Sequence, residues 1–282
     1  MEDRPIRRQP LRFPGAGGLE LAGRAWLPER PERAVLLVHG WAEHSGRYEH
    51  VGAWLAGRGC AVHAYDHRGH GLSAGPRGHL RRFDELLDDL ECALARLRTA
   101  QPALPLFVVG HSMGGLVTAA FAALRAPEIA GAATSGAALA VADAPSPARL
   151  ALLRLAARVL PRLRLERPIR PEALSRDPEV GRAYAADPLV LRRMSLGFAA
   201  AFLGAQAATL AAAPRVAVPM LLLHGSDDPL CPVEGSRRFF AGLASRESAL
   251  RVYPGLRHEI LNEPEREAVL GDLLEWMQQR AG

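Results

Sequence analysis

Short apolar runs rich in β-branched residues recur along the chain: Ala34-Val-Leu-Leu-Val38, Cys60-Ala-Val-His-Ala-Tyr65, Leu106-Phe-Val-Val109 and Pro219-Met-Leu-Leu-Leu223. Runs of this kind, apolar without alternation, suit strands covered on both faces and so predict a buried parallel sheet. Between them, helical spacing of apolar positions predicts helices over Tyr48–Arg58, Phe83–Ala100 and Met113–Arg125. Strands alternating with helices imply βαβ units and an α/β fold class. Leu19–Leu27 reads as an antiparallel edge, Leu250-Arg-Val-Tyr253 as a last strand and Glu265–Arg280 as a closing amphipathic helix.

The alternation stops near Asp143, where Ala144-Pro-Ser-Pro147 opens a stretch punctuated by Pro161, Pro168, Pro171, Pro178 and Pro188. Strand character resumes after Pro214. The pattern therefore predicts one α/β core, residues 1–142 and 214–282, carrying a helical cap at 143–213. Within the cap, Ala148–Leu165 places Arg154, Arg158 and Arg162 on one face and Leu152, Leu155, Val159 and Leu163 on another. Such a helix can dip into a lipid interface or lie on the core with its arginines in water; the sequence leaves both open.

Charge sharpens this picture. The net charge is +5, and residues 143–213 hold 11 Arg against 6 Asp plus Glu, while the remainder balances. Only one aromatic residue, Tyr184, stands among these arginines, which argues against nucleic acid as a partner. All 35 basic residues are Arg. Without Lys there is no Schiff-base nucleophile, no pyridoxal phosphate attachment and no P-loop lysine, and neither a cofactor nor a metal site is expected. The uncharged run Ile129–Ala142 is too short to cross a bilayer, so no membrane span is expected. Three cysteines without metal-like spacing and an N-terminus without a signal-peptide run point to reduced thiols and the cytoplasm.

The chemistry gathers around Gly110-His-Ser-Met-Gly114, between a buried strand and a helix. In that context the G-x-S-x-G pattern is a nucleophile elbow: the turn is tight, small flanking residues let strand and helix approach, and Ser112 is exposed at a helix N-terminus. The order in this fold is Ser, then acid, then His. Of ten histidines only His224 and His258 follow Ser112, and His224 ends a strand ahead of the acids, leaving His258 as the base. His224-Gly-Ser-Asp227-Asp228-Pro229 supplies two acids. Pro229 biases Asp228 to an extended backbone, so Asp228 is the expected orienting carboxylate, with Asp227 the fallback. Oxyanion donors are expected from the backbone N–H groups of Met113 and of Trp41 in His39-Gly40-Trp41. Asp66 and Arg68 precede the nucleophile and read as structural supports. The His79–Asp84 spacing, which matches some acyltransferases, has no supporting motif and reads as chance.

With these residues in place, the chain resembles the monoacylglycerol lipase and lysophospholipase-like family of α/β hydrolases. The resemblance runs through His39-Gly-Trp-Ala-Glu-His-Ser-Gly-Arg-Tyr-Glu49, Asp66-His-Arg-Gly-His-Gly71, Gly110–Gly115, Leu174-Ser-Arg-Asp-Pro178, Asp187-Pro-Leu189, Gly225–Cys231 and the His258 turn. It implies an α/β-hydrolase fold, an acyl pocket under an amphipathic cap, a Ser112–Asp228–His258 triad and no cofactor. It also implies that Glu43 and Arg47 bind the polar glycerol end; the residues alone equally allow an ion pair bracing the oxyanion loop. Trp41 stands where the family commonly has a small residue, and Leu261 where some members have a second His. The expected function is hydrolysis of a long-chain acyl ester, foremost a monoacylglycerol, with peripheral membrane contact through the cap. Lysophospholipase, general carboxylesterase, aminopeptidase and a non-catalytic ligand receptor are the alternatives.

Overall fold

The computed structural model describes residues 5–280. The buried runs become strands because side chains from both faces find cover. Along β3 (Arg33–Val38), Ala34, Leu36 and Val38 join one core layer and Val35 and Leu37 the other. Before β3, β1 (Ile6–Pro14) and β2 (Glu20–Pro28) form an antiparallel pair at one edge. The sheet continues with β4 (Cys60–Tyr65), β5 (Leu106–His111) and β6 (Gly131–Ser135). A separate ribbon pairs β7 (Arg164–Glu166) with β8 (Arg193–Ser195), and β9 (Met220–Gly225) and β10 (Ala249–Tyr253) complete the main sheet. Its eight strands run in the order β1-β2-β4-β3-β5-β6-β9-β10, parallel from β4 to β10. The helices are α1 (Glu49–Ala56), α2 (Asp84–Ala100), α3 (Met113–Leu124), α4 (Pro147–Val159), α5 (Pro178–Ala186), α6 (Leu196–Ala212), α7 (Glu234–Gly242) and α8 (Arg266–Gln278). Apolar residues of α2 and α3 cover one face of the sheet, those of α1 and α8 the other.

The mostly parallel sheet with helices on both faces is the expected α/β-hydrolase architecture. Three features depart from the sequence reading. Strand β1 carries three arginines and two prolines and buries only Leu11 and Phe13, so it shows little strand signal. Strand β6 is Gly-Ala-Ala-Thr-Ser, and glycine is required at its start because the Trp276 ring of α8 packs against Gly131. Nor is Ile129–Ala142 the longest apolar run: the helical stretch Leu196–Arg215 has 20 residues at a mean hydropathy of 1.6, enough to cross a membrane by length and composition. In the fold it serves the cap instead, burying Leu196, Phe198, Gln206, Thr209 and Ala212, with Gln206 donating to the Ala138 carbonyl at 2.8 Å.

Residues 143–213 leave the sheet after β6 and return at its neighbour β9. The expected long helix at 148–165 ends at Val159, because Pro161 cannot supply an N–H to a continuing helix. None of α4 is buried, and its apolar stripe faces outward: Leu152 is 67% and Val159 72% exposed.

Candidate active site

Strand β5 runs directly into Ser112, and α3 begins at the next residue. Ser112 sits at φ 54°, ψ −117°, a strained conformation for a residue with a side chain. It is held by its N–H donating to Ser135 O and its carbonyl accepting from Ala138 N–H, both at 2.9 Å. Glycine is needed on both sides: a Cβ on Gly110 would run into Gly114 O, and one on Gly114 into Val38 O. Met113 is the first helical residue, so its N–H lacks an intrahelical acceptor.

His258 arrives on the turn after β10. Its Nε2 accepts from Ser112 Oγ at 2.9 Å and its Nδ1–H donates to Asp228 Oδ2 at 2.7 Å. The other oxygen of Asp228 accepts from the N–H groups of Leu230 and Cys231, both at 2.9 Å. The expected Ser112, Asp228 and His258 thus meet. Asp227 does not join them; it is exposed and accepts from Ser226 Oγ. His224, set aside as the base, stands instead behind the acid, its Nε2 3.3 Å from Asp228 Oδ2, and neither this contact nor Gly136 is signalled in the sequence. At φ 53°, Gly136 lets the chain pass under the imidazole, where a Cβ would sit 2.8 Å from His258 O.

Burial alone would raise the Asp228 carboxyl, but the charge of His258 and the hydrogen bonds from His224, His258 and Cys231 hold it well below the usual carboxylate range. Burial alone would push His258 down; the charge and hydrogen bond of Asp228, with the charges of Glu259 and Glu43, outweigh it and hold His258 above its ordinary 6.5. A base must be unprotonated to accept from Ser112, so the acid limb of kcat/KM is expected at a pH above 6.5. Asp228→Asn removes the strongest raising partner. That limb should then move to lower pH while kcat falls about 10⁴-fold through the wrong tautomer; a pH–rate profile of both proteins checks this.

The loop after β3 lies against the nucleophile, and a Cβ on Gly40 would be 3.0 Å from Ser112 Cβ. Glu43 fixes this loop: Oε1 accepts from Gly40 N–H at 2.6 Å and from Tyr48 OH at 2.7 Å, and Oε2 from Arg47 at 2.8 Å. Arg47 also grips both oxygens of Glu259, at 2.6 and 2.9 Å. Burial would raise the Glu43 carboxyl, yet Arg47 foremost, then His111 and His39, lower it to about 2. Glu43 and Arg47 are therefore turned toward one another and toward Glu259, as a brace between the Gly40–Trp41 loop and the residue following His258. Glu259 carries no motif of its own, and only its place beside His258 could have drawn attention to it. The cap holds the same loop from above: Leu191 N–H donates to Ala42 O at 2.8 Å, and His44 Nε2 meets Asp187 Oδ2 at 2.8 Å.

Trp41, Ser112, Met113 and His258 line one cleft of about 910 Å³ with Ala138, Ile169, Met194, Phe202 and Leu230. A second cavity, about 900 Å³, shares Val141, Asp143, Arg167, Met194 and Phe202 with it and reaches Leu153 of α4. A mostly apolar path thus runs from the serine to the underside of the cap helix. Asp66 accepts from the N–H groups of Ser45 and Leu72 and Arg68 pairs with Asp89, so both serve as supports. His79 is spent on Ser195 Oγ, away from Asp84 at the start of α2. Among the described residues, Asp228, Cys231 and His258 present ligand atoms within 4.8 Å of one another, but His258 Nδ1 is already engaged by Asp228 and a cation there would dismantle the triad.

A strained serine hydroxyl joined through an imidazole to a buried carboxylate, above the ends of a parallel sheet, defines a serine hydrolase of the α/β-hydrolase class. The chain belongs to the family described as "Serine aminopeptidase, S33", which matches residues 29–265, and within it groups with the monoacylglycerol lipases. It is 39% identical to the monoacylglycerol lipase of Mycolicibacterium smegmatis, covering 94% of this chain and 95% of that one. It is 33% identical to the human monoglyceride lipase over 99% and 96% of the two chains. Its structure is similar to that of the Paleococcus ferrophilus monoacylglycerol lipase, with a TM-score of 0.81, 31% identity and coverage of 98% and 99%.

Proposed function

We propose that this enzyme hydrolyses a long-chain monoacylglycerol to fatty acid and glycerol. The carrying observation is the apolar path that starts at Ser112 and continues beneath the cap helix, a shape suited to an acyl chain. Ser112 Oγ attacks the ester carbonyl as its proton passes to His258 Nε2, and Asp228 stabilises the imidazolium. The N–H groups of Trp41 and Met113 hold the oxyanion. Collapse expels glycerol, which takes the proton from His258, leaving an acyl ester on Ser112. Water, deprotonated by His258, then releases the fatty acid and restores the serine. Glu43 and Arg47 position the Trp41 loop in this scheme.

The family's description includes aminopeptidases, which must hold a substrate ammonium. Beyond the triad, Asp143 is the one carboxylate lining the cleft, and Arg167 and Arg170 line it too, so the sign of charge opposes an ammonium. Turnover of 1-monoacylglycerol, lysophosphatidylcholine and an aminoacyl anilide separates the readings: kcat/KM is expected to be highest for the monoacylglycerol, and preference for the anilide overturns the assignment.

Of the eight exposed large hydrophobic side chains among the described residues, six lie between Leu152 and Leu165. This supports peripheral contact of the cap with the lipid surface from which the substrate is drawn. The three free thiols support a reducing, cytoplasmic setting.

A further inference from the structure

A groove of about 1190 Å³ lies on the flank of the cap, between the turn before α2, helix α4 and helix α6. Five arginines line it: Arg81 and Arg82 from the turn, Arg154 and Arg158 from α4, and Arg162 just beyond. No carboxylate lines it. Among the described residues, none of the five side chains joins the ion pairs that engage so many arginines elsewhere. Asp84, the nearest acid along the chain, is turned to Arg125 at 3.9 Å, and Glu85 to Arg68 and to the Arg81 backbone N–H. Small residues of α6 floor the groove. A Cβ on Gly197 would sit 2.8 Å from Leu80 O and 3.0 Å from Pro161 O, so glycine brings the two arginine-bearing segments together over the helix.

Like charges lining one groove repel one another until an anion enters. Guanidinium groups suit a phosphate, whose oxygens accept their paired N–H donors. The neighbourhood selects among phosphates. On α4 the exposed stripe of Leu152, Leu155 and Val159 adjoins the face bearing Arg154 and Arg158. An amphiphile can therefore lay its chain on the stripe and its headgroup in the groove, as amphipathic interfacial helices do.

We propose that this groove is a second, non-catalytic lipid site that takes the phosphate of an anionic phospholipid headgroup and holds the cap on negatively charged bilayers. It rests on the reading that the cap meets a lipid surface. The test is sedimentation of the full chain with vesicles of pure phosphatidylcholine and of phosphatidylcholine mixed with phosphatidylglycerol, at low and high salt. Mixed vesicles are expected to bind more tightly, with the difference lost at high salt. At about fivefold per arginine, the triple variant Arg154→Gln, Arg158→Gln, Arg162→Gln should bind them roughly a hundredfold more weakly. Its turnover of a short soluble p-nitrophenyl ester should be unchanged, which shows that it is folded. Equal binding to both vesicle types, unaltered in the variant, overturns the groove while leaving the cap reading intact. Binding to neither overturns both. Stabilisation of the free protein by sn-glycerol 3-phosphate without any preference for anionic vesicles assigns the groove to a soluble phosphate and overturns the lipid site.

Discussion

Ser112→Ala is expected to lower kcat on a long-chain monoacylglycerol about 10⁶-fold and to abolish labelling by a fluorophosphonate. The residual rate, some 10³- to 10⁴-fold above that in water, would come from the oxyanion donors and from binding alone. The fold should survive. The strained turn is fixed by main-chain hydrogen bonds to Ser135 and Ala138 and by close approach at Gly110 and Gly114, and none of these uses the hydroxyl. Labelling and steady-state rates of wild type and variant check this, and a variant that still labels would place the nucleophile elsewhere.

The second large effect is on stability. Arg47→Leu leaves Glu43 and Glu259 buried beside each other with their shared cation gone. Removing one partner of a buried ion pair costs about 3–5 kcal/mol, here a fall in Tm on the order of 10 °C. Because Arg47 lowers the Glu43 carboxyl to about 2 in the folded protein, that group stabilises the wild type above its unfolded value of 4.5, and the contribution is lost as pH falls from there toward 2. In the variant the sign reverses: buried carboxylates without a cation are raised, so protonation favours the fold. The gap in Tm between the two proteins should therefore be widest near neutrality and narrow on acidification. Adding Glu259→Gln to Arg47→Leu should restore part of the loss, because the two sites are in contact. Scanning calorimetry from pH 7 to pH 4 measures each of these, and a single variant as stable as wild type would show that the brace carries no energy.

Much of this was legible in the residues. The strands buried on both faces announced themselves as apolar runs, and the elbow, the base and the acid followed from their order along the chain. What escaped had a physical reason. Strand β6 is built from small residues, its first a glycine because Trp276 needs room at Gly131, so it carries little β propensity. Strand β1 alternates only over Leu11 and Phe13, and its charged positions face water. Helix α6 is apolar enough for a bilayer, yet its inward residues meet the fold, which periodicity alone does not reveal. Glu43 and Arg47 were visible as polar residues beside the oxyanion loop. Their third partner, Glu259, lies 212 positions from Arg47, a separation no local pattern bridges.

Two parts of the cap are tied down very differently. The stretch from Tyr184 to Leu191 is bound into the catalytic loop through Arg47, His44 and Ala42. Helix α4 buries none of its residues. Evolution, or an engineer, can accordingly transplant residues 147–165 from a homologue and retune what the enzyme admits without disturbing how it breaks the ester, whereas a graft spanning 184–191 would trade away turnover along with selectivity.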